Sequence, residues 1–270
     1  MAYYLCGTMV FATPSSPLKT PTQPMNFGIL RMDLKRKPYK MLKRQKLTAA
    51  MKLKRLQRAQ ALIRRFSQGR HRLVIFSDEK LFDIQQAFNP QNDRIWAEEP
   101  PETEERVAER VQKAASVMVW AAISTRGKTP LVFVEQGVKI DRNVYMDLIR
   151  EHLLPYAEED FDGEQWCFQQ DSAPAHKAND TQDMLREECP DFISRDEWPP
   201  YSPDLNPLDY SVWSILEEKA CPKPHSNVES LKRALLKAWD EIDVETLAKI
   251  VDNFPKRLEK CVPANGGHFE

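Results

Sequence analysis

Two aspartates in this 270-residue chain each follow a short run of apolar residues. Asp78 comes soon after the run 73–76 (LVIF), and Asp171 comes soon after the run 166–168 (WCF). A continuous apolar run is typical of a strand that is buried on both faces of a sheet. Because functional sites of open α/β sheets lie at the carboxyl ends of strands, the two carboxylates would meet there if the strands are neighbours. Aspartate also ends strands and begins turns for conformational reasons alone, and the pattern leaves both explanations open.

A third aspartate, Asp209, stands in a segment that is typical of a helix start, Asn206-Pro207-Leu208-Asp209. Asparagine is a good N-cap and proline is tolerated at the first helical position, so Asp209 is predicted in the first turn. An acid there is also stabilised by the helix dipole, by roughly 0.3–1 kcal/mol, without any chemistry. Three carboxylates together would form the oxygen-rich site that Mg²⁺ or Mn²⁺ prefers. Two such ions would activate a nucleophile and stabilise the leaving oxygen in phosphodiester chemistry.

Other active-site chemistries lack their sequence patterns. The chain has eight glycines and contains neither GxGxxG nor GxxxxGK[ST], which excludes nucleotide binding through those loops. It has no GxSxG nucleophile elbow. His176, in the segment DSAPAH, is either a supporting group near Asp171 or a structural histidine, and the other histidines show no ligand spacing.

The elements that would position these carboxylates are a mixture of strands and helices. The first apolar run is predicted to form a strand that ends at Ser77-Asp78-Glu79, and the second run is predicted to begin a strand that ends at Asp171. Further strands are predicted at 93–97, 117–124, 131–134 and 192–193. Helices are predicted at 40–66, from Asp141 to near Pro155, at 177–189, from Asn206 onward, after a Ser226–Glu229 capping box, and at about 244–254. Strands and helices in one core predict an α/β or α+β fold.

The charge of the chain is distributed unevenly. Residues 31–72 carry 16 of the 39 Lys and Arg residues but one of the 40 acidic residues, Asp33. Within this basic segment Leu42, Ala49, Leu56 and Ile63 recur at a spacing of seven, so we predict an amphipathic basic helix whose apolar face docks on the body of the protein. A basic arm of this kind is either a solvated face or localisation signal, or a contact to a phosphate backbone.

Composition narrows the class of protein further. Hydrophobic residues at 41% and charged residues at 29% are typical of a globular protein. No segment approaches the roughly 20 apolar residues that a membrane span needs, so no membrane partner is predicted. The five cysteines are scattered and include no CxxC pair, which favours reduced thiols in an intracellular compartment.

Three ordered segments resemble the catalytic blocks of Tc1/mariner transposases. They are FSDEKLF around Asp78, CFQQDSAPAH around Asp171, and YSPDLNPLDYSVW around Asp209. The strand at 116–123 and the closing segments PKRL and GGH are also similar to that family, and the resemblance extends over about residues 40–270. The 37 residues between the second and third acids resemble the spacing of a mariner-related subgroup.

The resemblance implies an α/β, RNase H-like mixed sheet flanked by helices, with an N-terminal basic helical extension. It implies a metal-dependent polynucleotidyl transferase or endonuclease in which Asp78, Asp171 and Asp209 bind two Mg²⁺ or Mn²⁺ ions. Asp204, in the SPDLNP segment, would shape the turn and would not be one of the three acids. The implied partners are double-stranded DNA, as transposon ends and as target, and the resemblance allows for a homodimer. The implied location is the nucleus.

The resemblance also divides the chain and sets expectations for its DNA recognition. We expect a poorly ordered tail at 1–30, a basic helical linker at 31–68 and the catalytic domain at 69–270. Members of the family carry paired helix-turn-helix units ahead of this domain, and residues 1–40 show no such pattern, so an N-terminally truncated chain is expected. Two alternatives stay open: a catalytically silent, domesticated or fossil DNA-binding remnant, and, less favoured, a general RNase H-like nuclease without the SPDLNP block.

Overall fold

The structure is a computed structural model, and it describes residues 2–5, 8–11, 45–85, 114–135, 137–138 and 140–269. The chain divides into two units, 1–46 and Leu47–Glu270. In the first unit, strands β1 (Ala2–Leu5) and β2 (Thr8–Phe11) pair as an antiparallel hairpin.

Two of the sequence predictions stay open. The strand expected at 93–97 lies outside the described residues. The division of the chain into a tail, a linker and a catalytic domain stays a prediction.

The second unit is built on a four-stranded mixed sheet with the order β5-β4-β3-β6. Its strands are β3 (Val74–Asp83), β4 (Ser116–Ile123), β5 (Val132–Val134) and β6 (Cys167–Gln169). The pairs β3–β4 and β4–β5 are antiparallel, and β3–β6 is parallel. The central position of β3 explains its apolar start, because a central strand has neighbours on both edges and is covered on both faces.

Helices cover both faces of this sheet. They are α1 (Ala49–Arg65), α2 (Arg142–Leu148), α3 (Leu154–Phe161), α4 (Asn179–Glu188), α5 (Trp213–Ala220), α6 (Val228–Asp240), α7 (Val244–Val251) and α8 (Phe254–Cys261). A 3₁₀ turn spans Arg70–Leu73, and π-helical segments span Ile149–Leu153 and Leu208–Val212. In the described part of the chain, no helix is long and apolar enough to cross a membrane.

The two faces of the sheet follow the strand period of two. Val74 and Phe76 face a core that includes residues of α1 and of α5 to α8. Ile75, between them, faces a second core that includes residues of α2, α3 and α4. Adjacent residues of β4 divide in the same way, with Val119 in the first core and Trp120 in the second. The predicted α/β architecture, a mixed sheet flanked by helices, is confirmed.

One strand boundary predicted from sequence is wrong. The polar residues that follow the apolar run do not end β3, which continues to Asp83. The reason is its pairing with β4, which runs without interruption from Phe76 opposite Ile123 to Asp83 opposite Ser116. Asp78 therefore lies inside a strand.

The predicted end of a helix near Pro155 is also wrong, because the helical path continues through Pro155 to Phe161. The turn before it, Ile149–Leu153, is π-helical, and Pro155 occupies the beginning of α3. Proline lacks an N–H group and is tolerated in the first turn, so the wider turn lets the helical path restart around it.

Three smaller differences arise near the C-terminal half. Asn227, and not Ser226, caps α6, because its side chain accepts from the N–H of Ser230 at 2.8 Å. The strand expected at 192–193 is reduced to a single bridge between Phe168 and Phe192. The last predicted helix ends at Val251, and α8, which the sequence reading did not separate, follows it.

Candidate active site

The parallel pairing of β3 with β6 brings the first two aspartates to the same end of this strand pair. Phe76 pairs with Gln169, and Asp78 and Asp171 each lie two residues beyond this pair. The hydroxyl of Ser77 donates to the carbonyl oxygen of Gln169 at 3.2 Å and joins the two strands at this point. The condition that the sequence left open, that the two strands are neighbours, is therefore met.

Asn206 fastens the start of the following helix to β3. Its side-chain oxygen accepts from the N–H of Leu208 at 3.1 Å, as an N-capping side chain does. Its amide nitrogen donates to the carbonyl oxygen of Ser77 at 3.1 Å. Since Ser77 directly precedes Asp78, this second bond brings the helix start, with Asp209, beside the first acid.

The helix that carries Asp209 begins with a π turn. Asp209 lies in the first turn of the segment Leu208–Val212, as predicted. The N–H of Trp213 donates to the carbonyl oxygen of Leu208, five residues earlier, so the turn is wider than an α-turn. Single π turns inside helices are frequent at functional sites, and this one carries the third acid.

Asp78 is buried and has one strong hydrogen-bond donor. The residue is 8% exposed, and the indole Nε1 of Trp213 donates to its carboxylate oxygen Oδ2 at 2.6 Å. Burial is the main cause that raises the pKa of Asp78 well above its usual range, and the charges of Asp209 and Glu79 add to it. The hydrogen bond from Trp213 lowers this pKa and opposes them only in part. A cation beside Asp78 would favour its ionised form and so oppose the rise in its pKa.

The pKa of Asp209 is raised as well, but by less than that of Asp78. Loss of water around its carboxyl and the charge of Asp171 raise its pKa to about 6, and Lys80 opposes them. Part of the residue stays exposed to solvent, so the effect is weaker than at Asp78. The two carboxyls interact with each other, and each also interacts with Asp171.

Asp171 has the opposite tendency, because a histidine accompanies it. The Nδ1 atom of His176 lies 2.5 Å from Oδ1 of Asp171, and its Nε2 lies 3.3 Å from Oε1 of Glu79. Desolvation opposes ionisation of Asp171, but His176 outweighs it and lowers the pKa of this carboxyl. Burial likewise opposes the charged form of His176, but Glu79 and Asp171 raise the pKa of its imidazole to about 10. At neutral pH an imidazolium thus lies between two carboxylates.

The imidazole of His176 is fixed in place by its neighbours. Its ring stacks on that of Tyr145 with centroids 3.9 Å apart, and the residue is 3% exposed. Its carbonyl oxygen accepts from the side-chain amides of Gln170 at 3.3 Å and Gln182 at 2.9 Å. Of the two interpretations that the sequence left open for His176, the supporting role beside Asp171 fits this geometry.

Replacing Asp209 with asparagine is expected to stabilise the fold at neutral pH. An acid whose pKa is raised on folding binds more protons in the folded state, so its contribution to stability falls as the pH rises from about 4, the unfolded value, through about 6. Asparagine removes the charge, and because solvent around the exposed Asp209 screens the repulsion, we expect the melting temperature at pH 7 to rise by only about 2–4 °C, with no difference from the unchanged protein below about pH 4. Calorimetry across this pH range measures both. The exposed Asp147→Asn is the control and should change nothing; equal shifts for the two variants would contradict the prediction.

The proline-rich loop before Asp209 is held by a buried ion pair. The guanidinium of Arg55 in α1 is 0% exposed and donates to both carboxylate oxygens of Asp204, at 2.7 and 3.1 Å. It also donates to the carbonyl oxygen of Tyr201 at 2.9 Å and to the Ser202 hydroxyl. Asp204 thus shapes the loop through tertiary contacts and does not face the other acids as a fourth ligand.

This ion pair changes which face of α1 docks. Arg55, Ala59 and Leu62 are the buried residues of the helix, whereas Leu56 and Ile63 of the predicted apolar stripe are half-buried and Ala49 is exposed. The prediction that α1 docks on the body is confirmed, but the docking face is centred on an arginine. Its charged partner lies 149 residues away in the chain, which no helical period can indicate.

A cavity of about 400 Å³ opens beside two of the acids. Its walls are formed by the segment after β6 and by the proline-rich loop. The lining residues are Asp171, Ser172, Ala173, Lys177, Trp198, Pro200, Tyr201, Ser202, Pro203, Asn206 and Asp209. A cavity with carboxylates and a lysine on its walls suits a charged ligand together with cations.

The donor chemistry of the three acids fits hard divalent cations. Asp78, Asp171 and Asp209 supply carboxylate oxygens, and the burial and mutual repulsion that raise the pKa values of Asp78 and Asp209 are effects that a bound cation would offset. Among the residues that the structure describes, no group of three or more His, Cys, Asp or Glu side chains is arranged so that it could hold a metal ion. Mg²⁺ usually takes only one or two carboxylates from a protein and completes its coordination with water and phosphate oxygens.

Sequence reasoning missed two residues of this site. Trp213 is buried in the core, and its indole N–H also donates to Asp78. Glu79 was read as part of a strand end, and it pairs with His176. The adjacency of Glu79 to Asp78 and the position of Trp213 four residues after Asp209 are the features that could have indicated them.

Comparison with known sequences identifies related proteins. A family profile described as DDE superfamily endonuclease matches residues 74–232, a range that contains all three acids. The Tcb1 transposase of Caenorhabditis briggsae is 30% identical over 151 residues, 56% of this chain and 53% of the relative. The Tc3 transposase of Caenorhabditis elegans is 30% identical over 199 residues, 72% of this chain and 56% of the relative. The chain spans about half the length of the curated relatives it matches.

Comparison with solved structures establishes the fold. The Mos1 transposase paired-end complex with the left transposon end matches with a TM-score of 0.77 at 20% identity, over 89% of this chain and 70% of that chain. The Mos1 mariner transposase catalytic domain matches with a TM-score of 0.66 at 19% identity, over 85% and 100%. A Mos1 strand transfer complex matches with a TM-score of 0.74 at 20% identity, over 89% of this chain and 69% of that chain. The Mos1 paired-end complex with Mg matches with a TM-score of 0.77 at 20% identity, over 89% of this chain and 70% of that chain. The Mos1 paired-end complex with Mn matches with a TM-score of 0.73 at 19% identity, over 86% of this chain and 68% of that chain. The fold is therefore RNase H-like.

Proposed function

The chain belongs to the DDE superfamily endonuclease family and has a Tc1/mariner-type transposase catalytic domain, and on that premise we propose that it cleaves DNA strands and transfers them to new DNA sites. One observation carries the proposal. The carboxyls of Asp78, Asp171 and Asp209, which come from β3, the loop after β6 and a helix start, interact mutually beside a cavity. Hydrolysis at a DNA end, followed by attack of the freed 3′-OH on a second DNA, is the reaction sequence we propose.

The chain's own residues would position the reacting groups. Asp78, Asp171 and Asp209 would hold two Mg²⁺ or Mn²⁺ ions, which when bound supply charge neutralisation at the phosphate and a more acidic water. Trp213 orients the Asp78 carboxylate through its 2.6 Å hydrogen bond, and His176 orients Asp171 and offsets part of its charge. In-line phosphoryl transfer needs such positioning more than covalent help from the protein.

The proposed substrate is double-stranded DNA, bound first through its phosphates. In the described part of the basic segment, α1 exposes Lys52, Lys54 and Arg64 to solvent. Contacts of this kind depend on counterion release, so affinity should fall steeply with salt and depend little on sequence. We propose the nucleus as the location of this activity, because its substrate would be double-stranded DNA, and action on two DNA ends would suit a homodimer.

The test is a nicking assay on supercoiled plasmid with the full chain and Mn²⁺ or Mg²⁺. We expect metal-dependent nicking, and we expect Asp78→Ala to lower it roughly 10³-fold, the scale of losing a group that stabilises transition-state charge. The exposed Asp147→Asn, far from the site in sequence, serves as the control and should cut like the unchanged protein. Metal-dependent nicking that Asp78→Ala leaves intact, or no nicking above that variant, would refute the proposal.

Thermal melting separates metal binding from turnover in the same experiment. An ion that binds only the folded chain raises the melting temperature with its concentration, whereas a chain without an ion site does not respond. We expect Mg²⁺ to raise the melting temperature of the unchanged protein and to have less effect on Asp78→Ala. Salt-sensitive DNA binding without nicking and without this metal effect would favour the silent DNA-binding remnant instead.

A further inference from the structure

Tyr201 stands out in the proline-rich loop because its backbone is strained. Its φ angle is +52°, a left-handed conformation that residues other than Gly, Asn and Asp rarely adopt. Such strain persists only where the surrounding structure enforces it, and it concentrates at functional sites. Tyr201 lies in a turn with Pro200, a position at which glycine or asparagine would adopt a positive φ angle with less strain than a large aromatic residue.

The surroundings of Tyr201 enforce this conformation. The buried guanidinium of Arg55 holds the Tyr201 carbonyl oxygen at 2.9 Å, and it also contacts the next residue, Ser202, and then Asp204. The Ser202 hydroxyl in turn donates to the carbonyl oxygen of Pro200 at 3.1 Å. The backbone on both sides of Tyr201 is therefore fixed, and its side chain is presented by a rigid support.

The ring of Tyr201 is available at the cavity. The residue is 48% exposed and lines the cavity together with Asp171 and Asp209. The other aromatic residue in the wall, Trp198, is 2% exposed, and its ring stacks on Phe254 at 6.2 Å between centroids. Among the described residues that line this cavity, Tyr201 is thus the aromatic ring that a ligand could reach.

We propose that Tyr201 is a nucleobase-stacking platform, which takes one unpaired base of the DNA strand whose reacting phosphate lies beside Asp78, Asp171 and Asp209. The inference rests on the proposed function, because it requires a DNA strand at this cavity. Aromatic rings bind single-stranded DNA by stacking, and every base offers a flat face, so the contact is tolerant of sequence. Placing a base beside the acids would fix the position of the neighbouring phosphodiester bond.

The structure supplies variants that separate the ring from the strain. Tyr201→Gly and Tyr201→Asn remove the ring but suit the left-handed backbone, so both should melt at or above the temperature of the unchanged protein. Tyr201→Phe keeps the ring and the strain and removes the hydroxyl. Leu236→Asn, which changes a 42% exposed apolar residue of α6, is the matched surface control.

The probe is a short DNA duplex with a single-stranded extension that contains one 2-aminopurine, whose fluorescence is quenched by stacking. With the full chain in Ca²⁺, and with cutting followed in parallel, we expect quenching by the unchanged protein, by Tyr201→Phe and by Leu236→Asn. For Tyr201→Gly and Tyr201→Asn we expect loss of quenching and a Kd for the extension raised about 10-fold. In the nicking assay the same two variants should raise KM more than they lower kcat.

Two outcomes would overturn the inference. One is a Tyr201→Asn variant that binds and quenches like the unchanged protein; the other is a Tyr201→Phe variant that loses as much as Tyr201→Asn, since the hydroxyl would then be the active group. The fate of the proposed function is read separately. A protein that nicks but never quenches the probe disproves the stacking platform alone, whereas a protein that quenches the probe but never nicks contradicts the proposed function alone.

Discussion

Replacement of Arg55 with alanine is expected to lower the free energy of unfolding by about 3–5 kcal/mol, the cost of breaking a buried ion pair by removing one partner. Arg55 is completely buried, and its loss leaves the Asp204 carboxylate, 4% exposed, without its cation. The carbonyl oxygen of Gly266, which accepts from Arg55 at 2.8 Å, also loses its donor. Urea denaturation followed by circular dichroism measures the change.

The partner residue and an exposed neighbour on α1 supply the controls. Asp204→Ala should cost a similar amount, and the double variant should lose much less than the sum of the two single losses, because the pair is removed together. Lys54→Ala, on the exposed side of α1, should change stability by less than about 0.5 kcal/mol. Additive losses at Arg55 and Asp204 would show that the two side chains act independently and would contradict the expected coupling.

The second large effect is expected at Gly266, where α1 meets the C-terminal segment. A Cβ atom at this position would lie 1.9 Å from the carbonyl oxygen of Lys52, and the φ angle is +71°. For Gly266→Ala, overpacking of about 1–3 kcal/mol and left-handed strain of about 1–2 kcal/mol act together. We therefore expect a loss of roughly 2–5 kcal/mol in the free energy of unfolding, by the same denaturation measurement.

A second glycine separates the two contributions at Gly266. Gly163 has a φ angle of +80°, and a Cβ atom there would meet no atom within 4 Å. Gly163→Ala should consequently show the strain alone, about 1–2 kcal/mol. If both substitutions lower the free energy of unfolding by the same amount, the close approach of Lys52 would contribute nothing to the loss at Gly266. The expectation for Gly266 would then be wrong.

The apolar pattern of the sequence was enough to predict a sheet that is covered on both faces. The uninterrupted run before Asp78 indicated a strand buried on both faces, and the structure divides Val74 and Phe76 from Ile75 in that way. Such runs are informative because they reflect a burial pattern that repeats locally. The helix start at Asn206 and Pro207 was equally readable, because capping depends on neighbours in the chain.

The length of β3 and the helical path through Pro155 could not be read in this way. Ser77 to Lys80 is polar, but pairing with β4 keeps it extended, and the partner strand lies about 40 residues further along the chain. The π turn before Pro155 depends on packing in the second core, where Ile149 and Leu153 are fully buried. In both places a tertiary contact overrides a local preference.

Local order in the chain determined where three of the carboxylates stand: Asp78 and Asp171 beyond two apolar runs, and Asp209 in a first helical turn. Only the tertiary structure decided what accompanies them. It gave Asp171 a histidine, gave Asp78 an indole N–H, and gave Asp204 a buried arginine from a helix 149 residues earlier. The physical reason is that hydrogen bonds and ion pairs join groups that are close in space, and chain spacing carries no trace of a partner so distant. Asp204 shapes its loop because Arg55 reaches it, and Asp209 faces the other acids because Asn206 ties its helix to β3.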